Sequence, residues 1–247
     1  MTIVVDDIDK GKRTLLGLLE ENDLRDHRVK VNDLYLEMEE VRWLALGEKV
    51  APILKNLLGH TPTLCNSLYL VRGSTQPAHV DAIYMTPRTH THLIATWVAL
   101  EDAHEDAGQL EYYPGSHKIE QMKFSTGLYN SIPEEMPAWA EYMAAEVERL
   151  GLQKQQFAAK KGDLFIWHAH LLHGGGPIRD MSRTRKSLVF HYFSEEDARR
   201  GRYSLQAFGD SYWIKRPPQA LPGQDRVRSF ARSVRNSMLK GLNRIRS

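Results

Sequence analysis

The stretch STQPAHVDAIYM, residues 74–85, sets an imidazole and a carboxylate two positions apart in an otherwise apolar run. If the run is extended, alternate side chains share a face, and His79 and Asp81 point the same way with Cα atoms about 6–7 Å apart. A carboxylate facing a core is costly unless something pairs with it. A salt bridge, a hydrogen bond between the two, or a shared metal ion would each meet that cost. A metal needs a third ligand, and WHAHLLHGGG (167–176) offers His168, His170 and His173. On a regular strand His168 and His170 share one face and His173 takes the other. His173 is preferred because three glycines follow it, where the backbone is free to turn away. Two histidines and one carboxylate on one face of a metal suit non-haem Fe(II), with positions left open for other ligands. Zinc hydrolases use similar sets, so ligand types alone do not fix the metal.

A second constellation lies in SRTRKSLVFHYF (182–193), where Arg183, Arg185 and Ser187 share a strand face. A buried arginine needs a partner; its planar fork suits a carboxylate, and the serine hydroxyl adds a donor. A dicarboxylate ligand would supply that partner, with Arg185 as its clamp and Arg183 as the alternative. Around the first motif, Tyr84, Arg88 and Arg72 would favour an anionic or hydroxyl-rich small-molecule substrate.

The elements that must position these residues alternate with Gly and Pro punctuation. Residues 33–58 carry Leu34, Met38, Val41, Leu44 and Ala45 at helical spacing, and Pro52 marks a break or a new first turn. Strands are expected over 64–72, 92–102 and the run into the Pro114-Gly115 turn, then over two segments within 155–176 and across 183–193. Residues 137–150 read as a helix with Pro137 in its first turn, and 118–140 as a lid. Early helices followed by short strands predict a mainly β chain, a β-sandwich or jelly roll with flanking helices. One domain is expected over 1–224, its amino-terminal part helical. A basic amphipathic helix is expected over 225–247, with Val227, Phe230, Val234, Met238, Leu242 and Ile245 on one face. That face would dock on the domain or on a second subunit; the other option is peripheral contact with an anionic membrane.

Hydrophobic residues make up 42% and charged residues 26% of the 247, an ordinary globular balance. A formal charge of +2 argues against nucleic acid as a partner of the whole chain. A single cysteine, Cys65, excludes an internal disulfide and a Cys-rich zinc site. The first residues are acidic where a secretory signal is basic, and no uncharged run approaches a membrane span, so a cytoplasmic protein is expected.

Taken in order, His79-Val80-Asp81, TWVALEDAHEDAGQLEYYPGSHK, KGDLFIWHAHLLHGGG and RTRKSLVFHYF resemble the phytanoyl-CoA dioxygenase family of Fe(II)- and 2-oxoglutarate-dependent oxygenases, over about residues 66–194. The resemblance implies a double-stranded β-helix of the cupin-like kind. It implies that His79, Asp81 and His173 hold iron, that Arg185 with Ser187 grips 2-oxoglutarate, and that Trp97 stands near this cosubstrate. It further implies O2-dependent hydroxylation of an aliphatic C–H, with release of succinate and CO2. Halogenating relatives lack the acidic ligand, so Asp81 points to hydroxylation or a related oxidation. Where the family often has serine two residues after the distal histidine, this chain has Gly175. Two rivals share the scaffold: a cupin-type metalloenzyme independent of 2-oxoglutarate, which would not need Arg185 and Ser187, and a non-catalytic binding protein.

Overall fold

A computed structural model describes residues 30–217. The expected helix 225–247 and the domain boundary at 224 lie outside these residues. In chain order the strands are β1 (Lys30–Asn32), β2 (Pro62–Leu70), β3 (Leu93–Ala99), β4 (Leu110–Tyr112), β5 (Gln155–Phe157), β6 (Leu164–His168), β7 (His173–Gly175), β8 (Ser187–Ser194), β9 (Ser204–Phe208) and β10 (Ser211–Lys215). The helices are α1 (Glu39–Leu46), α2 (Ala51–Leu58), α3 (Met136–Arg149) and α4 (Glu195–Arg200).

The larger sheet runs β6-β3-β8-β2-β10-β9, with β1 also paired to β2. Its centre is β3 and β8, whose sequences LIATWVA and SLVFHYFS are β-branched and aromatic. Such side chains fit a pleated surface that is covered on both faces. The antiparallel register sets Trp167, Ala95, His191 and Asn66 side by side across four strands, and Phe165, Trp97, Val189 and Leu68 in a neighbouring row. These rows face a smaller sheet, β5-β4-β7. Ala95, Trp97 and Ala99 of β3 meet Leu110 of β4 and Trp167 of β6 in one apolar cluster between the sheets. The result is a jelly roll, the double-stranded β-helix the sequence leads one to expect.

Outside the larger sheet, Tyr192 donates its hydroxyl hydrogen to the Ala45 carbonyl at 3.0 Å and so ties β8 to α1. The helical segment expected over 33–58, with a break or new first turn at Pro52, is a 3-10 turn and two short helices, the second starting at Ala51. Gly47 closes α1, where an added Cβ would sit 2.5 Å from the Trp43 carbonyl oxygen. Pro52 then occupies the first turn of α2, where its missing N–H costs nothing. The helix expected at 137–150 is α3, one residue displaced. Trp139 and Met143 of α3 pack on Val80, Ile83 and Leu172, neighbours in sequence of the residues singled out for chemistry. No helix among the described residues is long and apolar enough to cross a membrane.

Candidate metal centre

The segment 74–85 is not the strand that period-2 reading predicts. His79 makes one isolated antiparallel bridge, to His173, and Asp81 opens a 3-10 turn, Asp81–Ile83. At the bridge the two histidines exchange both backbone hydrogen bonds, His79 N–H to His173 O at 2.8 Å and His173 N–H to His79 O at 3.0 Å. Residues paired in this way present their side chains together on one face. The two imidazole centroids are accordingly 4.5 Å apart. The turn then swings Asp81 in beside them.

The glycines after His173 serve a purpose other than the turn expected of them. They let the 74–78 segment lie against β7. An added Cβ on Gly174 would stand 2.8 Å from the Gln76 oxygen, and one on Gly175 2.7 Å from the Thr75 nitrogen. Nor does one strand carry all three histidines. β6 ends at His168, and β7, in the other sheet, begins at His173.

His79, Asp81 and His173 are all buried and each offers a ligand atom within 4.8 Å of the others. Asp81 Oδ1 is 3.8 Å from His79 Nε2 and 3.6 Å from His173 Nε2. On the far side of each ring, His79 Nδ1 lies 2.8 Å from the Pro77 carbonyl and His173 Nδ1 2.9 Å from that of Leu171. A carbonyl accepts only, so each Nδ1 carries the proton and each Nε2 presents a lone pair, as metal ligation requires. Burial alone would raise the Asp81 pKa; the imidazoles of His173, His191 and His79 outweigh it and hold the carboxyl well below its usual range.

A cavity of about 60 Å³ opens beside the triad, walled by Trp97, Leu110, Trp167, Arg185, Val189 and His191 among others. Arg185 is 3% exposed, and among the described residues its side chain makes one hydrogen bond, from Nη1 to the Gly108 carbonyl. Its guanidinium carbon sits 5.4 Å from the centre of the Trp97 ring. Arg185 Nε, Trp97 Nε1 and Ser187 Oγ are buried without a hydrogen-bond partner among the described residues. Burial pushes the Arg185 guanidinium down to about 10, with no carboxylate to offset it. Orphaned donors of this kind are costly; Arg185 and Trp97 line the cavity, where an oxygen-rich anion would satisfy them, and Ser187 is not among the lining residues.

Of the other residues singled out, Tyr84 is about half exposed with its ring 5.7 Å from that of His79. Arg88 lines a separate cleft with Thr86, Phe193, Asp197 and Tyr203. Arg72 directs its fork to the carbonyls of Met181 and Arg183 and so holds the loop before Arg185. Arg183 does not share a strand face with Arg185: β8 begins at Ser187, and Arg183 pairs at 3.0 Å with Asp180 on the surface. Two residues went unnoticed in the sequence. Trp167 donates its indole hydrogen to Asp81 Oδ2 at 2.8 Å. His191 places Nε2 3.5 Å from the same oxygen. His191 continues the alternation from Arg185 through Ser187 and Val189, and extending that face by two more steps would have found it.

A jelly roll that gathers two buried imidazoles and one buried carboxylate at one cavity, with a buried arginine in the same wall, has the cupin-like architecture and three side chains that could hold a metal. Residues 18–187 match the phytanoyl-CoA dioxygenase (PhyH) family, more than half of the chain, and the chain belongs to that family. The phytanoyl-CoA dioxygenase domain-containing protein 1 of Danio rerio is 34% identical over 73 residues, covering 28% of this chain and 25% of that protein. The chain thus matches about a quarter of the length of its curated relatives. Among solved structures it resembles SnoN, a non-heme alpha-ketoglutarate-dependent epimerase from nogalamycin biosynthesis. The TM-score is 0.58 at 22% identity, covering 77% of this chain and 74% of that one. It also resembles the iron-bound EctD of S. alaskensis, with a TM-score of 0.58 at 15% identity over 90% of this chain and 79% of that one.

Proposed function

We propose that the protein is an Fe(II)- and 2-oxoglutarate-dependent dioxygenase that hydroxylates an aliphatic C–H of a small molecule. The observation that carries this is Arg185, a buried guanidinium that makes no ion pair among the described residues and lines the same cavity as the His79–Asp81–His173 triad. Family membership and solved neighbours titled with Fe3+ and alpha-ketoglutarate, or with 2-oxoglutarate, support the reading. Fe(II), when held, supplies the activation of O2 that couples oxidative decarboxylation of 2-oxoglutarate, giving succinate and CO2, to oxidation of the substrate.

The chain's own residues bind and orient. His79 and His173 donate Nε2 lone pairs and Asp81 one negative charge. Arg185 takes the distal carboxylate of 2-oxoglutarate, Ser187 adds a hydroxyl donor, and Trp97 lies along the cosubstrate. Leu68, Leu70, Leu110 and Val189 keep the cavity apolar and exclude water. Tyr84 stands where a substrate would enter. Neighbours titled as an epimerase and a carbocyclase share the fold, so the outcome depends on the substrate's placement rather than on the triad.

The test is an anaerobic titration with Fe(II) and then 2-oxoglutarate, read by the visible charge-transfer band of the ternary complex. Asp81→Ala should abolish iron retention. Arg185→Ala should keep iron but weaken 2-oxoglutarate by about 10- to 100-fold, the worth of a charged hydrogen-bonded contact. Wild-type protein that forms no band, or an Arg185→Ala variant with undiminished 2-oxoglutarate affinity, would refute the assignment.

A further inference from the structure

We propose that Trp167 holds one oxygen of Asp81 away from the metal, so that this acid ligates through the other oxygen alone. The inference rests on the reading of Asp81 as a ligand. A carboxylate can bind a metal through one oxygen or both. On a six-coordinate metal, two imidazoles and one carboxylate oxygen would leave three positions for other ligands, whereas a chelating carboxylate would leave two.

The geometry separates the two oxygens of Asp81. Oδ1 faces both ligand histidines. Oδ2 accepts the Trp167 indole hydrogen at 2.8 Å. An indole N–H is a donor only, so the direction of this bond is not in question. Trp167 is 5% exposed and is fixed by its register opposite Ala95 and by packing 4.9 Å from the His173 ring. On the other flank of Oδ2 stands His191, 4% exposed, with Nε2 at 3.5 Å. Its ring is held in turn: Nδ1 lies 3.1 Å from Asn66 Oδ1, Asn66 donates from Nδ2 to Asp33 Oδ1 at 3.3 Å, and Arg216 donates to that oxygen at 2.8 Å. Asp33 thus fixes which way the Asn66 amide points, and the amide fixes the His191 ring. Rotation of the Asp81 carboxylate toward two-oxygen ligation would break the indole bond and drive Oδ2 out of this slot. Trp167 is therefore a positioning residue.

Trp167→Phe deletes the N–H. Replacement of Trp167 by the isosteric benzothienylalanine deletes the same group while keeping the shape, and covers the case in which the phenylalanine variant does not fold. Both are loaded anaerobically with Fe(II), and separately with Co(II), then titrated with 2-oxoglutarate. The expected result is a loss of 2-oxoglutarate affinity of about tenfold or more, larger than any loss of metal affinity. The Co(II) ligand-field spectrum should change before any 2-oxoglutarate is added. An unchanged spectrum and unchanged 2-oxoglutarate affinity in the benzothienyl variant would overturn the proposal. So would a loss of metal affinity as large as the loss of 2-oxoglutarate affinity. A wild-type protein that binds neither metal would instead overturn the functional reading beneath it.

Discussion

Gly174 follows a metal-ligand candidate directly, and its α-hydrogen faces the carbonyl of Gln76, with an added Cβ only 2.8 Å from that oxygen. The obstruction would be backbone, which cannot swing aside as a flexible side chain can. Gly174→Ala should therefore push the 74–78 segment off β7, disturb the His79–His173 pairing and destabilise the fold by about 1–3 kcal/mol. Chemical denaturation with and without Fe(II) checks this, and an alanine variant with wild-type stability and metal affinity would contradict it. At this scale the triad was readable because His79 and Asp81 are polar residues in an apolar run. Arg185 was readable because a guanidinium alternates with strand hydrophobics. Trp167 was not, because an aromatic in a strand looks the same whether it fills a core or aims a hydrogen at a carboxylate, and His191 was missed only because its strand face was not followed far enough.

Among elements, β3 and β8 could be read from β-branched and aromatic runs, which burial on both faces favours, and α3 from a helical run with Pro137 in its first turn. The 74–85 segment could not. Alternation puts His79 and Asp81 on one side of a strand, and the structure brings them together by a bridge and a tight turn that no local pattern encodes. A second group of histidines joins the β6–β7 connection to the 117–129 segment. His90 stacks on Tyr129 at 3.7 Å and lies 4.4 Å from His170, which is 4.7 Å from His168; His117 and Lys123 complete the surroundings. Burial first, then the neighbouring imidazoles, pushes His170 down to about 3. His90 and His168 are lowered for the same leading reason.

A ring with a depressed pKa refuses a proton that the unfolded chain accepts near 6.5. The folded state is then fully stable above that value and loses ground as pH falls towards 3. For the buried His170 the slope approaches about 1.4 kcal/mol per pH unit. Thermal midpoints of the metal-free protein should thus drop between pH 7 and 5, and His170→Asn should flatten the decline. A profile identical in both proteins would show that the cluster does not control it.

For the molecule as a whole, the candidate centre spans the two faces of the jelly roll. His173 belongs to the small sheet, Arg185 runs into the central strand of the large one, and Asp81 hangs from a turn beneath α3. A ligand that engages all of them stabilises the folded state by mass action, about 2.7 kcal/mol at a hundredfold excess over its dissociation constant. Anaerobic melting with Fe(II) and 2-oxoglutarate should raise the midpoint in wild type and leave Asp81→Ala where it was. Equal shifts in the two would place binding elsewhere.

The bridge between His79 and His173 carries one more implication. Its partners come from opposite halves of the sequence, so closing it requires most of the intervening polypeptide to have found its place. A nascent or partly assembled molecule has no site to offer. On the proposed reading, a metal would find its ligands together only after that closure.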